Sequence, residues 1–556
     1  MPTIDEAYRA AMRLHQQGKA TEASQLYDQI LARAPDHAGA LHLKGVIALQ
    51  AGNYPTAIDL IDHSLRIVPR NALALSNLAV ALRAAERMFD AIAALEKSLA
   101  IEPRNADAWI NLAQTQLRAG FTADAIASAR KASELQPDRL GARSFILFGA
   151  NNLAEIDPVV LAEDARDYGR IAQRLVPPRT QHANIADPDR RLKIGLMSGD
   201  FLKHPVGRFL EAVLGELDAD KLTLHAYSDT GKPDDLTGRL RQHIPVWRDT
   251  KPLSDAALGE QIVADGIDVL VDLSGHTGSI RLLTHAGKPA PVSVTWLGYF
   301  ATTGLTAIDY VLANKWVIPE GEENQWSEKP WRMPDTYLCF TEPAGASLPT
   351  SLPALANGYV TFGSFNNFNK LSDRTLVAWS RLLQAVPDAR LVLRSSGQYH
   401  EGIIANLERR MAAAGIDLSR VRIDKKITDY AAHLASYGEI DVALDPFPYN
   451  GGTTTVEALY MGVPVLARAG DRYVAHMGES ILHNAGLPNW IAADEDAYSA
   501  LGARLAADLS ALAALRASLR SRMLASPLFD APRFARNLEE AFRGMWRVWC
   551  AAQGRG

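Results

Sequence analysis

The sequence predicts an α plus α/β chain: an N-terminal superhelix of helical hairpins, then two doubly wound lobes built on parallel sheets. Three observations predict it. Proline recurs at Pro35, Pro69, Pro103 and Pro137, a constant spacing of 34 residues. Beyond Arg191, short apolar runs of strand length alternate with helix-like segments, in two separate sets. Within the second set, Asp441–Ala467 (DVALDPFPYNGGTTTVEALYMGVPVLA) reads strand, loop, helix, strand. That is the form in which a parallel sheet offers an anion site.

Three further columns keep the 34-residue period. Ala23, Ala57, Ala91 and Ala125 form one, and Ala11, Gly45, Ala79 and Ala113 another. Gly18, Gly52 and Gly120 form the third, with Glu86 standing once for glycine. Small residues let two helices approach closely, glycine turns the chain between them, and proline ends the second helix. The repeats run roughly over 4–37, 38–71, 72–105 and 106–139, giving a repeat domain over 1–139. The pattern resembles the tetratricopeptide repeat. Such solenoids bind peptide or protein on their concave face, so a protein acceptor or partner is expected there. Asn77 and Asn111 hold equivalent positions on the first helices and are candidate clamps for a peptide backbone. Residues 140–190 are expected to add helices that continue the superhelix and then a polar, proline-bearing linker, PPRTQHANIADPDRR.

The first lobe is expected over 191–344, with strands at Leu192–Met197, Leu222–Tyr227, Val269–Leu273 and Val292–Trp296. A break near Gly345–Gly358 is rich in Pro, Ala and Ser. The second lobe follows over 358–525, with strands in YVTFGSF, ARLVLRS, VRI, DVALD and PVLA. Two such lobes in tandem imply a cleft, with ligands at the carboxyl ends of the strands. The tail, 526–556, reads as an amphipathic helix that crosses back and braces both lobes.

Composition narrows the function. A chain of 556 residues suggests three or four domains. A formal net charge of −5 gives no general affinity for nucleic acid or anionic membrane. Two cysteines, Cys339 and Cys550, make neither a disulfide framework nor a metal cluster. The opening MPTIDEAYRAAMRLHQQ lacks the apolar core of a signal peptide. No apolar run reaches the ~18 residues a transmembrane helix requires. A cytoplasmic setting is therefore expected. No G-x-G-x-x-G follows the first strand, and there is no P-loop. The acid pairs Asp218/Asp220 and Asp494/Asp496 sit in polar, helix-flanking segments away from any glycine loop, so no metal is predicted.

The candidate chemistry lies in the post-strand loops. In Asp441–Ala467, Gly451 and Gly452 let the backbone approach a ligand. Thr453, Thr454 and Thr455 offer hydroxyls at the helix start, and Gly462 ends the helix. The inference is a phosphate-bearing ligand. Glu457 is a ligand candidate, but Thr454-x-x-Glu457 also matches a capping box in which Glu457 serves its own helix. In the first lobe, Ser198–Gly207 (SGDFLKHPVG) places His204 at the cleft rim, and Asp272–Gly278 (DLSGHTG) and Trp296–Tyr299 (WLGY) follow two further strands. In the second lobe, Phe362–Lys370 (FGSFNNFNK) brings Lys370 toward the glycine loop as a charge clamp. His433 precedes Asp441 on a helix and could face the same ligand.

At these residues the chain resembles a family 41 glycosyltransferase of the O-GlcNAc transferase type, as a bacterial homologue. The likeness runs through the repeats, HPVG, SGHTG, WLGY, SFNNFNK and YNGGTTTVEALYMGVP. It implies a GT-B fold of two Rossmann-like lobes. It also implies inverting, metal-independent chemistry and sugar transfer from a nucleotide donor, UDP-GlcNAc, to protein Ser or Thr. By position, Lys370 then contacts the donor diphosphate beside Asn367, and Thr453 and Thr454 bind phosphate with Gly451 and Gly452. Glu457 takes the ribose, and His433 lies by the base and ribose. Thr277, Leu297 and Gly298 line the sugar pocket, together with Pro205, His276 and Tyr299 in the neighbouring loops. His204 faces the reacting centre, where it serves as base or only orients groups.

There are departures. Animal O-GlcNAc transferases carry His at Gly452, Asp at Glu457 and Pro-Gly at Phe300-Ala301, and have a long insert between the lobes that this chain lacks. The GGTTT-x-E-A-L-Y-M-G-V-P wording is also similar to plant spindly-type proteins, which implies GDP-fucose as an alternative donor. A repeat scaffold with inactive transferase lobes is the alternative of another class. The intact Lys370 and GGTTT loop argue against it.

Overall fold

The structure, a computed structural model, describes residues 2–554 apart from 279, 344, 349, 396–400 and 425–426. Of the predicted boundaries, residue 344, at the end of the first lobe, and residues 555–556, at the end of the tail, lie outside the described residues. So does Pro349, within the break between the lobes. The chain divides into two compact units: residues 1–149 with 399–407, and residues 150–398 with 408–556.

In the first unit the repeat period becomes helix pairs: Ile4–Gln16 with Ala20–Arg33, Ala38–Gln50 with Tyr54–Ile67, Ala72–Ala84 with Met88–Ile101, and Ala106–Arg118 with Thr122–Leu135. Ala23, Ala57, Ala91 and Ala125 have no exposed surface. A Cβ at Gly45 would lie 2.6 Å from Ile61, so that column must stay small for the helices to meet. Gly18, Gly52 and Gly120 take positive φ, and Glu86 adopts the same turn conformation at φ 65°. A further column escaped the sequence reading. Thr3, His37, Asn71 and Asn105, again 34 apart, each cap the first helix of a repeat by accepting a backbone N–H. Asn77 pairs with His42 at 2.9 Å, and Asn111 accepts from Arg83, so both candidate clamps already have partners.

The second unit holds both lobes, apart from the segment of the second lobe that groups with the first unit. Strands β1 (Leu192–Ser198), β2 (Leu222–Ser228), β3 (Val246–Asp249), β4 (Val269–Asp272), β5 (Val292–Thr295), β6 (Tyr310–Ala313) and β7 (Lys329–Arg332) form a parallel sheet in the order β3-β2-β1-β4-β5-β6-β7. Strands β8 (Thr361–Ser364), β9 (Arg390–Arg394), β10 (Val421–Asp424), β11 (Val442–Leu444), β12 (Val465–Arg468) and β13 (Ile491–Ala492) form a second, ordered β10-β9-β8-β11-β12-β13. Each contains the doubly wound order, so each has a switch point beside its first strand, between β1 and β4 and between β8 and β11. Four strands were not read from the sequence: β3, β6, β7 and β13. β3 and β7 are sheet edges, where VWRD and KPWR tolerate charge and proline. β6 and β13 have only four and two residues.

Two expectations need correction. Helix Pro158–Leu175 does not continue the superhelix: it packs on the first lobe, where a Cβ at Gly169 would lie 1.9 Å from the Gly304 carbonyl oxygen. Its Tyr168 ring meets His276 edge-on at 4.6 Å. The C-terminal helix Ala531–Gln553 does cross back, but its contacts hold one lobe. Phe534 stacks on Trp296 and Glu539 accepts from the Asp218 N–H, both on the first lobe, and Trp546 donates to the Asp187 carbonyl of the linker that leads into it. The preceding helix, Leu509–Leu524, serves the second, with Arg516 donating to the carbonyls of Thr350 and Ile440. Phe529, between these helices, touches both lobes, packing on Phe340 and Tyr460. Among the described residues no helix is long and apolar enough to cross a membrane.

The lobes meet through Asn314–Ser480 (2.7 Å), the Phe300–Tyr473 stack (5.6 Å) and a buried ion cluster. In that cluster His476, 5% exposed, lies 3.2 Å from Glu322 of the first lobe and 2.6 Å from Glu479. Burial alone would lower its pKa; the two carboxylates outweigh it and raise it to about 9. A raised histidine contributes stability that is fully present below its unfolded value of about 6.5. That stability is lost as pH rises through about 9. The melting difference between the native chain and His476→Gln is therefore expected to be largest near pH ~6 and to vanish by about pH 10. A difference independent of pH would remove this role.

Candidate active site

The predicted loops gather at the two switch points. The His204 loop follows β1 and the SGHTG loop follows β4, while the Lys370 loop follows β8 and the glycine loop follows β11.

The anion site is built from β11 outward. Helix Thr453–Tyr460 starts at Gly452, and no side chain caps it. The N–H groups of its first turn therefore face outward, carrying about half a positive charge. Gly451 donates to Asp445 at 2.6 Å, and a Cβ there would lie 2.5 Å from the hydroxyls of both Thr454 and Thr455. Only glycine lets the loop turn so tightly. Thr454 donates to Asn366 (3.0 Å), which ties the glycine loop to the loop after β8. Gly462, at φ 82°, closes the helix as expected.

Lys370, half-buried, donates to the Asn450 carbonyl at 2.7 Å and lies over the Tyr449 ring at 4.0 Å. Asn450 is in turn fixed by the Gly478 N–H. The cation therefore sits against the residue preceding Gly451, beside an uncapped positive helix end. Burial pushes the Lys370 pKa down, partly opposed by Asp445, whose own carboxyl burial pushes up. Two positive elements in one half-dry spot repel each other, and an anion relieves both.

Glu457 does not form the capping box. Its carboxylate, in a residue 4% exposed, accepts from Tyr430 (2.9 Å) and lies 3.3 Å from His433 Nε2 and 3.5 Å from the Tyr437 hydroxyl. It faces a ring of aromatics rather than its own helix start. Across the lobes, the Arg208 guanidinium lies 3.6 Å over the Tyr430 ring.

In the first lobe, His204 caps helix Pro205–Leu214, its Nδ1 accepting from the Val206 N–H at 3.4 Å. That bond requires an unprotonated Nδ1, so the neutral ring carries its proton on Nε2. Asp200 lies farther from Nδ1, at 3.7 Å. Burial lowers the His204 pKa against the opposing pull of Asp200. Pro205 occupies the first helical position and is exposed. Thr277 is half-buried, its hydroxyl donating to the Ser274 carbonyl. Leu297 is held at φ 73°, in the left-handed region, and Gly298 packs on Leu273 so closely that a Cβ would lie 1.9 Å from its carbonyl oxygen. Strain and close approach of this kind gather at functional loops.

Two predicted pocket residues are core residues instead. His276, 2% exposed, is packed between the rings of Tyr168 and Tyr299, with Nε2 bonded to the Thr303 carbonyl at 3.0 Å. Burial lowers its pKa to about 4, keeping it neutral. Tyr299, 7% exposed, accepts from Asn151. Both are packing residues of the loop, because His276 is enclosed edge-to-ring by Tyr168 and Tyr299 and its Nε2 is already bonded. Asn367 is exposed and its side chain accepts from the Asn369 N–H, shaping the turn. Its neighbour Asn366 makes the contact to Thr454.

Sequence reasoning missed Asp445, Asn366, Asn450, Tyr430 and Tyr437. Asp445 ends a buried strand six residues before the glycine loop, which was a signal. The tyrosines left none, since their hydroxyls reach Glu457 only through the fold. The acid pairs are occupied structurally: Asp218 accepts from the Asp220 N–H and pairs with Lys221, while Asp494 caps its helix and Asp496 pairs with Arg381. Among the described residues no cluster of His, Cys, Asp or Glu is placed to hold a metal.

Two doubly wound lobes with a cation and an uncapped helix at the second switch point define the GT-B class, here preceded by tetratricopeptide repeats. Residues 169–342 and 350–538 match the glycosyl transferase family 41 profile, and residues 8–72 and 76–139 match the tetratricopeptide repeat profile. The chain belongs to glycosyl transferase family 41. A mutant of Thermobaculum terrenum O-GlcNAc transferase is 33% identical, with a TM-score of 0.80 and full coverage of both chains. A probable UDP-N-acetylglucosamine–peptide N-acetylglucosaminyltransferase of Arabidopsis thaliana, SPINDLY, is 38% identical over 75% of this chain and 46% of its own. A second Arabidopsis protein of that description, SEC, is 27% identical over 72% of this chain and 42% of its own. The chain spans about half the length of the curated relatives it matches.

Proposed function

We propose that this chain is an inverting, metal-independent transferase that moves GlcNAc from UDP-GlcNAc to Ser or Thr hydroxyls of proteins, with the repeats holding the acceptor. The observation that carries the reading is Lys370 Nζ on the Asn450 carbonyl (2.7 Å), beside the uncapped start of helix Thr453–Tyr460.

The chemistry follows from that placement. The acceptor oxygen bonds to the anomeric carbon as the bond from that carbon to the diphosphate oxygen breaks. The electron pair leaves on the diphosphate, where Lys370 and the first-turn N–H groups meet the new charge. We assign the ribose hydroxyls to Glu457, a reading supported by the Tyr430 and His433 contacts that turn its carboxylate away from its own helix start. His204, with its proton on Nε2, is a donor that orients a substrate oxygen. The acceptor proton then leaves through water or to the departing phosphate.

A second reading keeps the chemistry and changes the donor to GDP-fucose. It is supported by Glu457 and Gly452 in the spindly-type wording. Calorimetric titration with UDP and GDP separates the two, followed by transfer from the matching nucleotide sugar to a peptide. Tight UDP binding with GlcNAc transfer is expected. A clear preference for GDP would move the donor to the second reading. Absence of any nucleotide binding would leave a repeat scaffold with inactive lobes.

A further inference from the structure

The end of β9 carries a buried cation that the site described so far does not use. Arg394 is 4% exposed. Its Nη2 is held by Asp424 at 2.5 Å and lies 3.4 Å from Glu439. Its Nε and Nη1 are buried and, among the described residues, have no hydrogen-bond partner. Buried polar groups in folded proteins are nearly always paired, and an unmet charged donor is among the costliest exceptions. The guanidinium is planar and fixed, so its unmet N–H groups point in set directions.

Position gives the orphan a meaning. β9 neighbours β8, so Arg394 stands on the same carboxyl edge as the Lys370 loop, one strand over. The Phe365 ring lies 4.7 Å over the guanidinium. Phe365 also packs on Tyr437 (4.5 Å) and faces His433 (6.0 Å), the groups around Glu457. A continuous path therefore runs from the anion site through Tyr437 and Phe365 to Arg394. Along it, the diphosphate and ribose have residues assigned to them, and the nucleobase has His433 beside it but no group that reads its edge.

We propose that Arg394 reads the nucleobase of the donor. Phe365 turns off the guanidinium and stacks on the base, and the freed N–H groups donate to its carbonyl oxygens. Asp424, a fifth exposed beside Arg394, accepts from the adjoining ring N–H. That pair of groups fits a base that sets a C=O next to a ring N–H, as uracil and guanine do. Adenine and cytosine would set an amino group against the guanidinium. The inference rests on the nucleotide-donor reading above and adds the residue that selects an oxo base.

The test is calorimetric titration of the full chain with UDP, GDP, ADP, CDP and inorganic pyrophosphate, before and after Arg394→Lys. Lysine keeps the charge opposite Asp424 and lacks the planar N–H groups. The native chain is expected to bind UDP or GDP at least about tenfold tighter than ADP and CDP. Arg394→Lys should weaken the preferred nucleotide about tenfold and leave pyrophosphate unchanged. Unchanged nucleotide affinity and preference, or an equal loss for nucleotides and pyrophosphate, would overturn the proposal. If Arg394→Lys does not fold, Asp424→Asn carries the test. It should erode the preference for oxo bases, and an intact preference would overturn the role. No nucleotide binding by the native chain would sink the donor reading itself, and this inference with it.

Discussion

Replacing Lys370 by alanine is expected to lower transfer by about a hundredfold or more, roughly 3 kcal/mol of transition-state stabilisation. The reason is the placement of one cation against the Asn450 carbonyl, at a helix start that nothing else caps. Departure of the nucleotide creates charge there, in a half-dry environment where charge is costly to leave unmet. The fold should tolerate the change. Lys370 makes one backbone hydrogen bond and a ring contact, and its burial already disfavours its charge. Melting should therefore move little while turnover collapses. Arginine should not restore full activity, because its planar fork cannot take the place of a compact ammonium between Asn450 and Tyr449. Near-normal turnover in Lys370→Ala would remove the lysine from the mechanism.

Gly298→Ala should be nearly as severe by a different route. The added Cβ would lie 1.9 Å from the Leu273 carbonyl oxygen and 2.9 Å from the Ser274 Cα. Both are backbone-anchored atoms, so the loops after β4 and β5 must part. Overpacking of this kind costs ~1–3 kcal/mol, occasionally more, so a lower melting temperature is expected. The parted loops carry Thr277 and Leu297, and transfer should fall by about a hundredfold if they shape the sugar pocket. Nucleotide affinity should stay within a few-fold, because the anion site is built from β8 and β11 of the other lobe. Equal loss of nucleotide affinity and transfer would show that the lobes do not divide the work in this way.

Much of the site was legible because its residues follow strands. Lys370 and the glycine loop could be placed from sequence, since a loop after a parallel strand lies at the carboxyl edge whatever the rest of the fold does. His276 misled for the same reason. It follows a strand, yet helix Pro158–Leu175, more than a hundred residues earlier in the chain, brings Tyr168 over it and makes it core. Glu457 was ambiguous in sequence because a capping box needs only local spacing. The structure resolves it through Tyr430, His433 and Tyr437, which compete for the carboxylate from another helix. Arg394 had no sequence signal, since an orphaned donor is visible only when every neighbour is in place.

The sequence by itself determined the repeat period, the two sets of alternating strands and the glycine-threonine loop. Each is written in local spacing: 34 residues for a hairpin, short apolar runs for buried strands, and glycine where a Cβ would collide. Tertiary structure alone decided which side of the molecule each long-range partner occupies. It placed the C-terminal helix on the first lobe, set Arg208 over Tyr430 between the lobes, and closed His476 between Glu322 and Glu479. Apart from the local His476–Glu479 pair, those contacts join residues more than 150 positions apart. Their strength comes from burial and mutual exclusion of water, which no local spacing encodes.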